Sequence, residues 1–419
     1  MGLEAMQWNQ QRLVEVLNTK LPETLAHLKQ WVDISSYTLN RAGVEALALQ
    51  IANDFERLGF QATRLPSTDP RYADHWMLER KGCHSGGQSV ACISHLDTVF
   101  SEEERVRNAF EWSEDGTRIY GPGTVDIKGG TAMVYLMLDA LLDMDPAFVE
   151  QVDWRIFLNS SEEVLNPEFA EVVRPHLDAQ TRACLVFEAD EACALKQSGL
   201  VNQRKGRMTY RVTAAGLGAH AGSAHHEGVN AIALLAPIVQ QIESWTDYDK
   251  GLTFNVGVIH GGEGRNRVAQ TASLEGEMRA FDQEAFSDGK SLLMTLAGAA
   301  QLTVAGTQRS GILELDILQE DEAWSANAGS QSIVDIWQAA GAELGIEVYG
   351  SSRGGLSDGN HFWESYPTID GLGPSGGNLH ASERCEATGK LPEYVNRDSF
   401  VPKALLNCFA LKRLLARAV

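Results

Sequence analysis

The chain has 419 residues, a formal net charge of −21 and an isoelectric point of about 4.9. This length exceeds one ordinary core and predicts two or three domains. The strong negative charge argues against nucleic acid or an anionic membrane as a partner, and no stretch is apolar enough to span a bilayer.

The first two hundred residues alternate between helical and strand patterns. Helices are predicted over residues 41–58 and 131–142, and buried strands over 90–94, 154–158 and 183–187. This alternation is typical of crossover units. It predicts an α/β domain with a mixed, largely parallel sheet flanked by helices.

From residue 206 the apolar residues alternate with period two, as in half-exposed strands. Strands are predicted over residues 207–214, 252–259, 272–280 and 312–317, with helices over 230–245 and 284–299. This β-α-β-β-α-β order is that of a ferredoxin-like α+β unit. We therefore expect a first domain of residues 1–205 and 319–419, with residues 206–318 inserted into it.

Segments that could direct secretion or disulfide formation are not evident. The N-terminus, Met1-Gly-Leu-Glu-Ala-Met-Gln-Trp8, has no signal-peptide core, so we expect a cytoplasmic location. The six cysteines form no C-x-x-C pair, and Cys92 and Cys184 lie in apolar strands, where cysteine acts as a small buried hydrophobe. Asn159-Ser160-Ser161 matches a glycosylation sequon, which we treat as coincidental without a secretion signal.

Five short segments each place a side chain that can bind metal just past an apolar, strand-like run. These side chains are His95 and Asp97, Asp126, Glu162 and Glu163, Glu188, and His380. Open α/β sheets bind ligands at the carboxyl ends of their strands. Two histidines with several carboxylates are the donors expected of a zinc-type hydrolytic site, often with two metals. Any one of these residues alone could be a solvated loop residue or a helix cap.

The Glu162-Glu163 pair predicts two different roles for the two glutamates. Neighbouring side chains at a strand end diverge, so one can bind metal while the other faces the substrate. We expect Glu163 to be the ligand and Glu162 to be the general base that takes a proton from the attacking water. Glu188 is preferred over Asp190 as a ligand because an apolar strand runs directly into Glu188. Asp97 could hold the second ring nitrogen of His95 and fix its tautomer.

Most of the chain resembles the superfamily of zinc aminoacylases and carboxypeptidases. The motifs that carry the resemblance are Ser94-His-Leu-Asp-Thr-Val99, Gly121-Pro-Gly-Thr-Val-Asp-Ile-Lys-Gly-Gly130, Ser161-Glu-Glu163, Gly218-Ala-His-Ala-Gly222 and His380. Bacterial glutamate carboxypeptidases are the nearest branch, with acetylornithine deacetylases and succinyl-diaminopimelate desuccinylases as relatives. The resemblance implies a zinc-exopeptidase-like first domain, and an inserted lid and dimerisation domain through which a homodimer forms.

The resemblance also implies roles for individual residues. Two Zn²⁺ ions, with Co²⁺ or Mn²⁺ as alternatives, would be bridged by Asp126, with Glu188 completing the site of one ion and His380 that of the other. Substrate contacts are implied for His220, Asn266, Arg279, Gly355 and Ser357. In many relatives the equivalent of His220 acts across a dimer interface. A structural turn for His220 and a strand-face salt bridge for Arg279 remain open alternatives.

Two loops depart from the superfamily pattern. Residues 164–167 lack the usual glycine, and residues 384–390 form an insertion between His380 and Glu393-Tyr394-Val395. Both departures leave the metal-binding residues intact, so they bear on the substrate and not on the chemistry.

The sequence therefore predicts a dizinc hydrolase that cleaves the amide bond of a small peptide or N-acyl amino acid bearing a free carboxylate, in the manner of a carboxypeptidase. An N-acyl-amino-acid deacylase or a dipeptidase is the alternative within the superfamily. A catalytically silent binding protein is the alternative outside it. The presence of Glu162 argues against silence, because binding alone requires no general base.

Overall fold

The computed structural model describes residues 8–83, 87–190 and 196–416. Its helices are α1 (Gln10–Asp33), α2 (Arg41–Glu56), α3 (Glu102–Asn108), α4 (Lys128–Met144), α5 (Pro146–Val149), α6 (Glu168–Val173), α7 (Ala231–Glu243), α8 (Gln283–Met294), α9 (Ala328–Leu344) and α10 (Phe400–Ala416). Its strands are β1 (Gln61–Leu65), β2 (His75–Arg80), β3 (Ser89–His95), β4 (Ser113–Asp115), β5 (Arg118–Tyr120), β6 (Asp153–Asn159), β7 (Thr181–Val186), β8 (Gln197–Arg204), β9 (Gly206–Ala215), β10 (Thr253–Gly261), β11 (Thr271–Ala280), β12 (Gly298–Val304), β13 (Thr307–Asp321), β14 (Glu347–Arg353), β15 (Thr368–Ile369), β16 (Gly376–Gly377) and β17 (Tyr394–Asn396).

The chain divides into two compact units. The first unit contains Met1–Asn202, Ala326–Ser351 and Ser357–Val419, and the second contains Gln203–Ser325 and Ser352–Leu356. The limits predicted for the inserted domain, residues 206 and 318, both fall within the second unit.

The first unit is built on a six-stranded sheet in the order β1-β2-β6-β3-β7-β15. β3 pairs in parallel with β6 and β7, and β15 is parallel to β7, whereas the pairs β1–β2 and β2–β6 are antiparallel. All seven residues of β3 are buried, as expected for a central strand covered on both faces. The predicted mixed sheet flanked by helices is confirmed.

Strand register determines which polar residues share one edge of this sheet. His95, the last residue of β3, pairs with Asn159, the last residue of β6. Ile93 of β3 pairs with Val186, the last residue of β7. Because these strands are parallel, the residues that follow all three emerge at the same edge.

The second unit contains a five-stranded antiparallel sheet in the order β10-β11-β9-β13-β12. Residues from its strands and from α7 and α8 form one apolar core. The strands predicted from the sequence form the ferredoxin-like arrangement, and β12 adds a strand at one side.

The prediction of a helix as far as residue 299 is wrong. α8 ends at Met294, and residues 298–304 form β12 instead. Gly298 begins this strand at a φ of 126°, a conformation that interrupts a helix. Val304 pairs with Thr307, so Ala305 and Gly306, both with positive φ, form a two-residue hairpin loop. Ala-Gly lacks the Asn-Gly or Asp-Gly signature, which is why the hairpin was not predicted.

Cys83, Cys92, Cys184, Cys385 and Cys408 are free thiols, and Cys193 lies outside the described residues, as do residues 1–7 of the N-terminal segment. Among the described residues, no helix has the length and hydropathy needed to cross a bilayer.

A buried ion pair joins α10 to the segment after β7. Lys403 Nζ lies 2.6 Å from Asp190 Oδ2, and both side chains are only 5% exposed. The Ser198 hydroxyl donates to the same carboxylate oxygen at 2.7 Å, and the Gly199 amide donates to its other oxygen at 3.1 Å. Asp190 is thus a structural anchor, which agrees with the preference for Glu188 as a ligand.

Lys403→Met is therefore expected to lower the free energy of unfolding by about 3–5 kcal/mol, because it leaves a buried carboxylate without its cation. Arg413→Met on the same helix removes an exposed ion pair with Glu343 and is the control, with an expected cost of roughly 0–1 kcal/mol. Urea denaturation followed by circular dichroism measures both. Equal midpoints for the two variants would show that the Lys403 pair contributes no special stability.

Candidate functional site

The predicted metal-binding side chains of the first unit meet at the carboxyl edge of β3, β6 and β7. His95 ends β3, Glu162 and Glu163 lie in a short helical turn after β6, and Glu188 follows β7. Asp126 precedes α4, whose first turn is entirely buried.

Asp126 lies between the two histidines. Its Oδ1 is 3.1 Å from His95 Nε2, and its Oδ2 is 3.1 Å from His380 Nε2. Asp126 and His95 are buried, whereas the His380 side chain is 55% exposed. One carboxylate thus presents each of its oxygens to a different imidazole.

Two of the glutamates lie near His95 and the third lies near His380. Glu188 Oε1 is 3.7 Å and Glu162 Oε2 is 3.9 Å from His95 Nε2. Glu163 Oε2 is 3.2 Å from His380 Nε2. The potential ligand atoms of His95, Asp126 and Glu163 all lie within 4.8 Å of one another.

Crowding of buried acids shifts the protonation of these glutamates. Burial raises the pKa of Glu162 well above its ordinary value; His95 opposes this shift, and Glu188 adds to it. Burial, with Asp126 nearby, raises the pKa of Glu163 to about 7. Four carboxylates around two imidazoles hold more negative charge than a buried site retains without a compensating cation.

The carboxylates around the two histidines raise the pKa of both imidazoles. Hydrogen bonds with Asp126 and Glu163 raise the pKa of His380 to about 11. Burial alone would raise the pKa of Asp126, but hydrogen bonds with His380 and His95 hold it well below its ordinary value.

The donor set fits two divalent cations. His95, Asp126 and Glu188 could hold one ion, and Asp126, Glu163 and His380 could hold the other. Imidazole nitrogens with carboxylate oxygens are the ligands of catalytic zinc sites, and excess buried acid is the charge that such ions neutralise.

Three buried side chains hold the turn that carries Glu162 and Glu163. They accept four successive backbone N–H groups: Ser160 donates to His75 Nδ1 (3.1 Å), Ser161 to Asn159 Oδ1 (3.0 Å), Glu162 to Asp97 Oδ1 (3.1 Å) and Glu163 to Asp97 Oδ2 (3.2 Å). The turn is therefore oriented by side chains and not by a strand ladder.

Asp97 has a wider set of contacts than the sequence predicted. His95 Nδ1 lies 3.0 Å from the main-chain oxygen of Asp97 and 3.5 Å from its Oδ1. The main-chain oxygen thus makes the shorter contact with the ring, while the carboxylate is hydrogen-bonded to the glutamate turn.

Three residues near the site were missed as functional candidates. Glu393 is fully buried, and its Oε1 accepts from the amides of Val125 at 3.2 Å and Asp126 at 3.4 Å. In the sequence Asn159 stands out only as part of a sequon, and its burial makes it inaccessible to glycosylation. His75 stands in no motif, and only its place at the start of β2 relates it to the site.

In the second unit, His220 has a defined tautomer. Its Nδ1 accepts from the amides of Gly222 at 3.1 Å and Ser223 at 3.0 Å, so the ring proton lies on Nε2. The Asn266 main-chain oxygen accepts from Ala221 at 2.9 Å. His220 and Asn266 line a surface hollow of about 570 Å³.

The other predicted substrate residues already have protein partners. Arg279 donates through Nε at 2.9 Å and Nη2 at 3.1 Å to Glu277, the strand-face salt bridge considered above, and through Nη1 to Gly354 O at 3.0 Å. The Ser357 hydroxyl donates to Asp370 at 2.7 Å and is buried. The Gly355 carbonyl accepts from Arg204 at 2.9 Å.

Solved structures share this fold. Aminopeptidase PepT from Bacillus cereus has a TM-score of 0.71 and 18% identity, covering 97% of this chain and 99% of that chain. YXEP from Bacillus subtilis, described as a dinuclear metal-binding peptidase, has a TM-score of 0.64 and 11% identity, covering 94% and 99%. The chain thus has the fold of these peptidases, the second of which is named as a member of the M20 family.

Sequence comparisons extend this likeness. Residues 202–303 match the peptidase dimerisation domain family. Carboxypeptidase G2 of Pseudomonas sp. is 24% identical, over 88% of this chain and 86% of that protein. Succinyl-diaminopimelate desuccinylase of Acidovorax ebreus is 25% identical, over 85% and 91%. The predicted resemblance is confirmed: the chain is a homologue of these peptidases and deacylases, and it is a hydrolytic enzyme.

If Asp126 is shared between two ions, its loss should affect both sites. Elemental analysis of metal-loaded, gel-filtered protein should give about two divalent ions per chain for the wild type, about one for Glu163→Gln and less than one for Asp126→Ala. Glu171→Gln, which removes an exposed acid from α6, is the control and should retain both ions. Two ions retained by Asp126→Ala would exclude the shared-ligand arrangement.

Proposed function

We propose that the protein is a dizinc amide hydrolase that releases a C-terminal residue from a small peptide or N-acyl amino acid with a free carboxylate. The observation that carries this proposal is the position of Asp126 between His95 and His380, with Glu162 buried beside His95. His95, Asp126, Glu163, Glu188 and His380 would hold the two ions.

When bound, the zinc ions would polarise the scissile carbonyl and lower the pKa of the attacking water. Glu162 accepts a proton from that water as its oxygen bonds to the carbonyl carbon. Glu162 then delivers the proton to the amide nitrogen as the carbon–nitrogen bond breaks. The hydrogen bond from the Glu162 amide to Asp97 fixes the backbone that carries this carboxylate before the substrate arrives.

His220 and Arg279 would act on the substrate. The proton on His220 Nε2 suits it to donate to the developing oxyanion. Arg279 would bind the substrate carboxylate, in which case that carboxylate must share or displace Glu277. Asn266, Gly355 and Ser357 remain candidate substrate contacts.

We further propose a homodimer formed through the second unit. β10 is an edge strand of its sheet, and unpaired strand edges favour pairing with another chain. Val258 and Ile259 on this strand are 42% and 54% exposed, and Ile232 on α7 is 42% exposed. The match to a dimerisation domain supports this assignment. The cytoplasmic location stays a prediction.

A deacylase or dipeptidase is the second candidate, because the relatives include proteins named acetylornithine deacetylase and succinyl-diaminopimelate desuccinylase. The substrate's acyl or aminoacyl group distinguishes these activities, and the departures at residues 164–167 and 384–390 bear on that choice.

A panel of dipeptides, N-acyl glutamates and N-acetyl and N-succinyl amino acids, assayed with Zn²⁺, Co²⁺ or Mn²⁺, tests the proposal. The wild type should hydrolyse at least one class, and Glu162→Ala should bind metal normally but lose about 10²–10⁴-fold in turnover. Unchanged turnover in Glu162→Ala would refute the general-base role. Metal binding and substrate binding without any hydrolysis by the wild type would favour the silent binding protein.

If His220 acts in the partner's site, two defective variants should complement each other. His220→Ala and Glu162→Ala are each expected to be nearly inactive, whereas a mixed dimer has one of its two sites intact and should show about half of wild-type activity. After random subunit exchange in a 1:1 mixture, about half of the dimers are mixed, so the mixture should regain up to about a quarter of wild-type activity. His226→Ala, an exposed histidine of the same loop region, is the control. Confirmed subunit exchange without recovered activity would show that His220 acts within its own chain.

A further inference from the structure

Asp97 accepts a third hydrogen bond on its carboxylate in addition to the two from the glutamate turn. Its carboxylate is 1% exposed and accepts from the amides of Glu162 and Glu163. The Thr38 hydroxyl, buried to 2% exposure, donates to Asp97 Oδ2 at 2.8 Å. We propose that Thr38, in the connection between α1 and α2, is a positioning residue for the metal centre that acts through Asp97. This inference rests on the proposed function.

The Thr38 hydroxyl can donate one proton, and two acceptor oxygens lie near it. Thr98 O lies 3.4 Å away, and it already accepts from the Thr38 amide at 3.1 Å. Asp97 Oδ2 is nearer and belongs to a charged carboxylate, so the Thr38 hydroxyl directs its proton to Asp97 Oδ2. Thr38 is therefore a donor to the carboxylate.

The backbone around Thr38 is held without its hydroxyl. The Thr98 amide donates to Ser36 O at 2.9 Å, and the Thr38 amide donates to Thr98 O. Tyr37 and Thr98 form a parallel bridge. Removal of the hydroxyl therefore leaves this segment in place and changes only the donors available to Asp97.

Those donors determine how the Asp97 carboxylate is rotated. Oδ1 receives the Glu162 amide and lies 3.5 Å from His95 Nδ1, while Oδ2 receives the Glu163 amide and the Thr38 hydroxyl. Without Thr38, Oδ2 retains the Glu163 amide, and the carboxylate can rotate toward the ring of His95. Such a rotation lengthens the bonds to the glutamate turn and so displaces a proposed ligand and the proposed base together.

Thr38→Val keeps the shape of the side chain but removes the donor, whereas Thr38→Ser keeps the donor. Thr181→Val is the matched control, because it removes a buried hydroxyl that bonds Ser89 at 3.1 Å at the opposite end of β3 and β7. Zn²⁺ affinity is measured by competition with a chromophoric chelator on metal-free protein, and kcat and KM are measured on the substrate found in the panel.

Thr38→Val should weaken Zn²⁺ binding and lower kcat by about 10–100-fold each, with KM changed by less than about threefold, because partners that orient metal ligands contribute on this scale. Thr38→Ser and Thr181→Val should resemble the wild type in both measurements. If Thr38→Val is not recovered folded, Thr38→Ala replaces it.

Wild-type Zn²⁺ affinity in folded Thr38→Val would overturn the inference, as would an equal loss in Thr181→Val. The affinity measurement also separates this inference from the proposed function. A wild type that binds Zn²⁺ but hydrolyses nothing refutes the hydrolase, while weakened binding in Thr38→Val alone would still support the positioning role.

Discussion

Parallel pairing of β3 with β6 and β7 is the constraint on which the site depends. The register of His95 with Asn159 makes the two strands end together, so the histidine and the turn that bears Glu162 and Glu163 emerge at one edge. Hydrogen bonds between strands thereby determine the separation of side chains that are far apart in sequence. A shift of register by one residue would exchange the faces of β3 and remove His95 from the site.

The concentration of acid at this edge is the second constraint. Burial raises the pKa of Glu162 and Glu163, because each carboxylate loses water while others lie close by. A folded protein retains such a cluster only where protons or cations compensate its charge. The two imidazoles that flank Asp126 compensate part of this negative charge, and the remainder is available to bind cations. The excess negative charge of these buried carboxylates would destabilise the fold if nothing neutralised it. It therefore favours the binding of divalent cations.

Much of this architecture follows from sequence pattern, and the exceptions have physical causes. The apolar runs before His95 and Glu188 predict buried strands, and β3 and β7 are such strands. β12 was missed because its Ala-rich sequence also suits a helix and its Ala305-Gly306 turn lacks a strong signature. His75 and Glu393 contribute through contacts with backbone amides, which no spacing in the sequence records. Tertiary hydrogen bonds of this kind appear only when the fold is known.

The side-chain hydrogen bonds that orient the glutamate turn have an evolutionary consequence. His75, Asn159 and Asp97 bind the amides of residues 160–163 from within the first unit, and none of them belongs to the loops at 164–167 or 384–390. The amides of Leu165 and Asn166 donate to Glu162 O and Ser161 O and tie residues 164–167 to the turn, whereas the 384–390 loop can change without moving the glutamates. Such independence allows a lineage to exchange one substrate for another while its reaction stays the same, which is how a single scaffold can diversify into peptidases and deacylases.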